Sequence, residues 1–506
     1  MASSNGENNT KEQVIMRART LLILFIGLAM IPLGLSAQND SSSFQNNYEK
    51  FKEQAQKEYD DFVAQANSEF EAFLAQAWSE YQSFAGQFGA YSKQKPEVMP
   101  SITVQSGIID VEAPSVDNES PIFENESENK NSIFGHDTSP SNTIKINFYG
   151  RGMVFIVPKA LRVTSEGVRE RQVSNYYTTL HQNDADHILQ RQLDEAVDQM
   201  GLNEWGYFVL LRAITEKIYA NANDRVLFAF YMLHSHGFKA RVGRGSKSNQ
   251  LLLLLALDNS KEVYSKTFFR INGTKYYAVY GNGMQGESVY SYDEKADQSN
   301  LKEIRLDFTK TLNIAACDKS RKLHLNKVDM DLTLPYSTSH LRYYDDIPTT
   351  VFPIYFNTPV SKETEAVLAE TIGTLSKQYN KVQLVDILLN FVQTAFVYKI
   401  DEQYHGREKY YFPEETIGLP FSDCEDRSAL FAWLVKRFVG YDVIGVLYDD
   451  HLATAVCFGD DAKLTGKSVI HQGKRYMVCD PTYQNAAIGT VMPKYANVNH
   501  EIVKIN

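Results

Sequence analysis

Residues 421–431 read FSDCEDRSALF, and an earlier run, residues 220–230, reads ANANDRVLFAF. The echo extends outward from both. Leu227, Phe228, Ala229 and Phe230 lie over Leu430, Phe431, Ala432 and Trp433, and Gly237 lies over Gly440 at the same offset. QLLLLLAL from Gln250 lies over HLATAVCF from His451, and GTKYYAVY from Gly273 lies over GKRYMVCD from Gly473, with the offset slipping by only a few residues. Each copy follows helical periodicity with short apolar runs of strand length. The chain therefore reads as two tandem copies of one α+β domain, with helices packed on an antiparallel sheet.

Length and composition allow this. A chain of 506 residues exceeds one ordinary core. With 43% hydrophobic, 12% aromatic and 22% charged residues, most of it has the composition of packed globular structure. A net charge of −11, from 51 basic and 62 acidic residues, argues against a nucleic-acid partner, which needs concentrated Lys and Arg. Near the start, Arg17 and Arg19 precede an apolar run from Leu21 to Leu35 and small residues ending at Ala37. Residues 1–37 thus read as a secretory signal peptide, the run being short for a membrane span. The mature protein is expected to be periplasmic or secreted, or anchored in the inner membrane if the signal stays uncleaved.

Residues 38–92 carry an 11-residue repeat: YEKFKEQAQKE, YDDFVAQANSE, FEAFLAQAWSE, YQSFAGQFGAY. Eleven residues over three turns, about 3.67 per turn, keep the aromatic stripe nearly straight along a long amphipathic helix. Two readings stay open: a helix covered by its own globular body, or a coiled-coil-like stalk that self-associates or docks a partner through residues 48–91. Residues 93–142, rich in Pro, Ser, Asn and Glu, read as a disordered linker. Residues 143–300 form the first copy. Residues 301–345 read as connecting strands, including LDFTKTLNIAAC and VDMDLTLPYS, and 346–506 as the second copy.

The second copy carries a set of residues suited to nucleophilic catalysis. Cys424 follows Ser422 and Asp423, good N-cap types, and so opens a helix. Free N–H groups there favour a thiolate and can hold an oxyanion. His451 begins one strand-like run and Asp480 ends the next, so antiparallel pairing would set the imidazole beside the carboxylate that orients it. Tyr398, Gln403, Tyr410 and Tyr411, in the long loop before the cysteine, are candidates for a lid or a second oxyanion donor. Cys424 is expected to be a free thiol. Cys457 and Cys479 would point to opposite faces of their strands and so would not bridge, leaving them and Cys317 as small apolar groups.

DCEDRSALFAWLV, DDHLATAV, YMVCDPTY and the preceding YKIDEQYHGREKYYFPEETIGLPFSD together resemble the transglutaminase-like superfamily of papain-type cysteine enzymes, including bacterial cysteine proteinases of that type. The resemblance covers about Ser361 to Tyr483. It implies catalytic Cys424, His451 and Asp480 and an acyl-thioenzyme route. It also implies that calcium is the one cofactor to consider, held at the acidic residues flanking the cysteine, Asp423 and Glu425. Many members have His-Ala-Trp where this chain has His451, Leu452 and Ala453, a departure that bears on substrate.

The first copy has Asn221 or Ala222, Gln250 and Tyr280 in place of the three residues, and only Ala220 in place of the long loop. It reads as a noncatalytic module. The expected function is an exported thiol enzyme that cleaves or transfers amide bonds in a peptide or protein. The alternative is a noncatalytic periplasmic scaffold or binding protein assembled through its N-terminal helix.

Overall fold

The computed structural model describes residues 142–506 except 259–261, 265, 282–287, 295–299, 460–462 and 506, together with 105–107 and 122–123. The signal segment, the aromatic repeat and nearly all of the linker lie outside the described residues.

The first set of elements starts with β1 (Gln105–Gly107), β2 (Ile122–Phe123) and the hairpin of β3 (Thr143–Phe148) and β4 (Arg151–Ile156). Helices α1 (Glu170–Asn183), α2 (Asp186–Met200), α3 (Glu204–Ile218) and α4 (Ala222–Ser235) follow, then β5 (Ala240–Gly245), β6 (Leu251–Ala256), β7 (Phe268–Ile271), β8 (Thr274–Gly281) and β9 (Val289–Glu294). The second set starts with the hairpin of β10 (Lys319–Leu325) and β11 (Met330–Tyr336), then α5 (Thr338–Asp345), α6 (Phe352–Asn357), α7 (Lys362–Leu375) and α8 (Lys381–Ala395). It continues through β12 (Val397–Tyr398), α9 (Asp401–Tyr404), α10 (Pro413–Gly418) and β13 (Phe421–Ser422) to α11 (Cys424–Leu434). Strands β14 (Asp442–Leu447), β15 (Leu452–Cys457), β16 (Ser468–His471), β17 (Lys474–Cys479) and β18 (Glu501–Lys504) complete it.

The two sheets share one order. The first runs β7-β8-β6-β5-β9, with β1 added in parallel at the edge, and the second runs β16-β17-β15-β14-β18. All other pairings in both are antiparallel, so the fold is α+β. The turns agree as well. Asn272-Gly273 and Gln472-Gly473 take positive φ (49° and 84°, 49° and 76°), the two-residue geometry that matches strand twist in a hairpin. Gly237 (φ 87°) and Gly440 (φ 77°) follow the two buried helices in the left-handed conformation that stops them.

Residues 301–345 divide differently from the sequence expectation. VDMDLTLPYS supplies β11, but LDFTKTLNIAAC forms no strand. Its polar backbone is satisfied by loops instead: Asn203 donates to the Leu306 carbonyl (2.7 Å) and the Asn313 N–H donates to the Met200 carbonyl (2.8 Å). Residues Leu306, Leu312 and Ile314 stay buried, so the apolar alternation there reports burial without a partner strand. The β10–β11 hairpin packs on α8 and α7, as β3–β4 packs on α3 and α2, so it belongs with the second set. One continuous apolar core runs from Ile146 to Ile505 through both sets.

Candidate active site

Helix α11 is buried on nearly every side, which is why its sequence shows little amphipathic pattern. Ser428 Oγ donates to the Leu452 carbonyl (2.9 Å), fixing the helix against β15. Cys424 occupies the first helical position after Asp423. Its sulfur donates to Glu425 Oε2 (2.9 Å) and accepts the backbone N–H of Leu452.

The thiolate expected at this helix start is not what the surroundings favour. Cys424 is only 3% exposed. Burial pushes its thiol well above the ordinary range, and the Glu425 and Asp423 carboxylates push it further. A helix N-terminus contributes about 0.3–1 kcal/mol toward an anion, whereas burying a charge costs several kcal/mol. Desolvation wins, and the thiol is held protonated with Glu425 as its acceptor.

His451 and Asp480 meet as the strand pairing requires. β15 and β17 are antiparallel, with Thr454 opposite Cys479, so their facing ends bring the two side chains together. His451 Nε2 bonds Asp480 Oδ2 at 2.9 Å, and both residues are buried. Asp480 Oδ1 accepts the N–H groups of Thr482 (2.9 Å) and Tyr483 (3.2 Å), so one carboxylate starts the turn after Pro481 and orients the imidazole. With Nε2–H donating to the carboxylate, Nδ1 is the nitrogen left with a lone pair for a proton. Among the described residues Nδ1 takes no hydrogen bond, and the sulfur bonds to Glu425 rather than to the ring. The thiol is thus joined to the neighbouring Leu452 backbone, with its proton directed away from the imidazole.

The loop before Cys424 distributes its candidates unevenly. Tyr398 comes to the thiol, and burial, the largest cause, raises its phenol well above the ordinary value, with the acidic groups Cys424, Asp423 and Glu425 nearby. The Arg427 guanidinium lies 5.4 Å from its ring centroid. Tyr410 instead packs on Phe352 and Tyr355 (4.7 and 5.6 Å between centroids). Tyr411 bonds His405 through its hydroxyl, and its N–H donates to Asp426 Oδ1 (2.8 Å). Gln403 is exposed.

Asp401, Asp423 and Asp426 are all buried, with one oxygen of each within 4.8 Å of the others. Burial, then mutual repulsion, raises Asp401 and Asp423 well above ordinary carboxylates. Burial takes Asp426 to about 8 despite its two backbone N–H donors, from Asp423 and Tyr411. Three buried carboxylates this close do not all stay ionised without a cation. Asp423 Oδ1 is buried without a hydrogen-bond partner, and these oxygens suit a hard divalent cation such as calcium. Of the pair flanking the cysteine, Asp423 belongs to this cluster, whereas Glu425 is engaged with the thiol.

The first set has the corresponding helix and strands without these side chains. α4 starts at Ala222 with Asn221 as its N-cap, so Ala222 stands in the place of Cys424 and Asn221 in that of Asp423. Gln250 precedes β6 as His451 precedes β15. Tyr280 is not the counterpart of Asp480. A bulge between Leu253 and Leu254 inserts one residue in β8, so Tyr280 pairs with Leu253 and Gly281 falls in the place of Asp480. The Leu251 N–H, equivalent to that of Leu452, donates to Asn223 Oδ1 (2.9 Å).

Sequence reasoning missed several residues. Arg427, buried and still a cation although burial pushes it down to about 10, donates to the carbonyls of Phe396 (2.7 Å) and Gln393 (3.4 Å). Gln393 holds the Asp480 carbonyl through Nε2 (2.9 Å). Tyr495 stacks on the His451 ring, 5.1 Å between centroids with 11° between planes. The signal for Arg427 needed a register one residue off the Leu227–Leu430 match, which lays EDR (425–427) over NDR (223–225), and no spacing pointed to the other two. All four cysteines are free. Comparison of the chain with protein-family models, with curated proteins and with solved structures gives no match.

Proposed function

We propose that the second set is a transglutaminase-like thiol enzyme domain of an exported protein, acting on amide bonds of a peptide or protein, and that the first set is its noncatalytic counterpart. The observation that carries this is the buried His451–Asp480 hydrogen bond beside a helix-opening cysteine, with neither partner present in the first set. On this reading Asp480 fixes the tautomer, His451 Nδ1 takes the thiol proton, and Cys424 attacks the carbonyl; the C–N bond breaks, the amine leaves with the proton from Nδ1, and water or another amine then displaces the thiol from the acyl-thioenzyme. The thiol proton must turn from Glu425 to the imidazole first. Asp401, Asp423 and Asp426 would hold calcium, which would neutralise charge beside the sulfur.

The closed, protonated thiol favours a second reading, a noncatalytic binding protein. One experiment separates the two. The protein is treated with p-nitrophenyl acetate, and acetylation of each cysteine is followed by peptide mass spectrometry, in calcium and in chelator. The enzyme reading expects Cys424 to be acetylated far faster than Cys317, Cys457 and Cys479. It also expects His451→Ala to slow that step by on the order of 10²-fold or more. Asp401→Asn should remove any difference between calcium and chelator. Acetylation of Cys424 at the same rate with and without His451 leaves the binding-protein reading.

A further inference from the structure

We propose that Tyr495 is the positioning residue for His451, supplied by a turn beyond the last element of the Cys-His-Asp set; this rests on the thiol-enzyme reading. A general base performs only if its ring is held at the angle that aims the accepting nitrogen. The Nε2 bond to Asp480 fixes one atom of the imidazole and leaves rotation about that bond open. A stacked ring removes the rotation.

Tyr495 lies nearly parallel to the imidazole, 11° between planes and 5.1 Å between centroids. Tyr448 stacks on Tyr495 in turn, at 4.4 Å and 23°, and lies 12° from the plane of His451. The three rings therefore form one parallel group. Tyr495 is 4% exposed and belongs to the apolar cluster on the sheet face that also holds Ala453, Ala455, Tyr476, Val478 and Met492. Its position is set from outside that cluster. The hydroxyl donates to Asp450 Oδ1 (2.7 Å), and Lys494 Nζ takes Asp450 Oδ2 (3.1 Å). Asp450 immediately precedes His451, and the Tyr448 N–H donates to the His451 carbonyl (2.8 Å), so the loop carrying the base and the turn carrying the clamp are tied together. Among the described residues the charged and titratable groups around the ring include Asp480 on Nε2, Asp450 and Lys494 at the anchor, His500, 5.8 Å from the Tyr448 ring, and Cys424, which acts on Tyr495.

Tyr495 is thus placed to fix the ring plane and to shield the Nε2–Asp480 bond from water. The alternative role, a cover that merely blocks the sulfur, has the opposite kinetic signature.

The test follows the acetylation rate of Cys424 against pH in the full chain for wild type, Tyr495→Phe, Tyr495→Leu and His451→Ala, with thermal melting of each. Tyr495→Phe keeps the stacked ring but loses the Asp450 anchor, so it should slow acetylation less than Tyr495→Leu and keep the shape of the wild-type pH profile. Tyr495→Leu keeps an apolar side chain but no ring. It should slow acetylation by roughly tenfold, the scale of one lost aromatic contact, and flatten the pH dependence toward that of His451→Ala. An unchanged or faster rate in Tyr495→Leu overturns the proposal, as does a slower rate in that variant with the wild-type pH profile, which is a structural effect. If Tyr495→Leu does not fold, Tyr495→Trp replaces it and must restore the wild-type profile. A wild-type rate in His451→Ala means instead that the underlying thiol-enzyme reading has failed.

Discussion

Cys424 stands between two possible acceptors, Glu425 on its own helix and the imidazole that precedes β15, and the thiol keeps its proton and directs it to the acidic neighbour. Burial and the Glu425 charge both raise the thiol, so its reaction with an alkylator should climb with pH and pass its midpoint above that of an ordinary cysteine. Glu425→Gln removes the negative charge and leaves an amide of the same size. Iodoacetamide labelling of Cys424 near neutral pH should then rise severalfold, with the rate curve moving to lower pH. A curve that stays in place would show that Glu425 does not govern the sulfur. At this scale residue type carried much of the information: Cys424, His451 and Asp480 stood out because a thiol, an imidazole and a carboxylate occupied a helix start and two strand ends. The direction of the thiol proton did not, because it depends on burial and on a rotamer. Tyr495 was equally hidden, reaching His451 through a turn that leaves no periodic trace.

The shared Asp-Arg pair explains why two helices, one opened by Cys424 and one by Ala222, start alike. Asp224 accepts the Ser165 N–H (2.9 Å) and Asp426 the Tyr411 N–H (2.8 Å), each tying an upstream loop to its helix. Arg225 donates to the Tyr219 carbonyl (2.7 Å), closing the end of α3, and Arg427 to that of Phe396 (2.7 Å), closing the end of α8. These contacts are architecture, present with or without a cysteine. Arg427 is buried and serves a further carbonyl, that of Gln393, and the Ser422 hydroxyl, whereas Arg225 is half-buried with the one carbonyl bond. Arg427→Ala, which strands several buried acceptors, should therefore cost about 2–4 kcal/mol, and Arg225→Ala about 1 kcal/mol. Urea unfolding of the two variants measures the difference, and equal losses would contradict the burial argument. Helices and hairpins were legible because 3.6-residue periodicity and turn glycines are local signals. The bulge that displaces Tyr280, and the irregular path of residues 306–317, were not, because both depend on which strand lies alongside.

The two sets repeat one topology, yet they are built into one another. Arg212 pairs with Asp346 (3.2 Å), Trp205 Nε1 donates to the Asp346 carbonyl (3.1 Å), and the Tyr343 hydroxyl donates to Asn203 Oδ1 (2.7 Å). The Tyr264 N–H donates to the Thr349 carbonyl (2.9 Å), and Thr350 Oγ1 donates to the Glu262 carbonyl (2.7 Å). Around these bonds one apolar core takes residues from both sets, including Leu323, Leu325, Leu332 and Leu334 of the β10–β11 hairpin. A cut before residue 346, where the sequence suggested a boundary, would remove that hairpin and expose the faces of α7 and α8 that it covers. A fragment of residues 346–506 should therefore lack a cooperative melt and bind hydrophobic dyes, while a fragment of residues 319–506 should retain more structure by near-ultraviolet circular dichroism. The full chain should melt in one transition, with calorimetric and van't Hoff enthalpies in agreement for the described region. Two separate transitions, or a sharply melting 346–506 fragment, would show that the shared core is not what holds the second set together. The sequence duplication would then mark two independent domains rather than two halves of one folding unit.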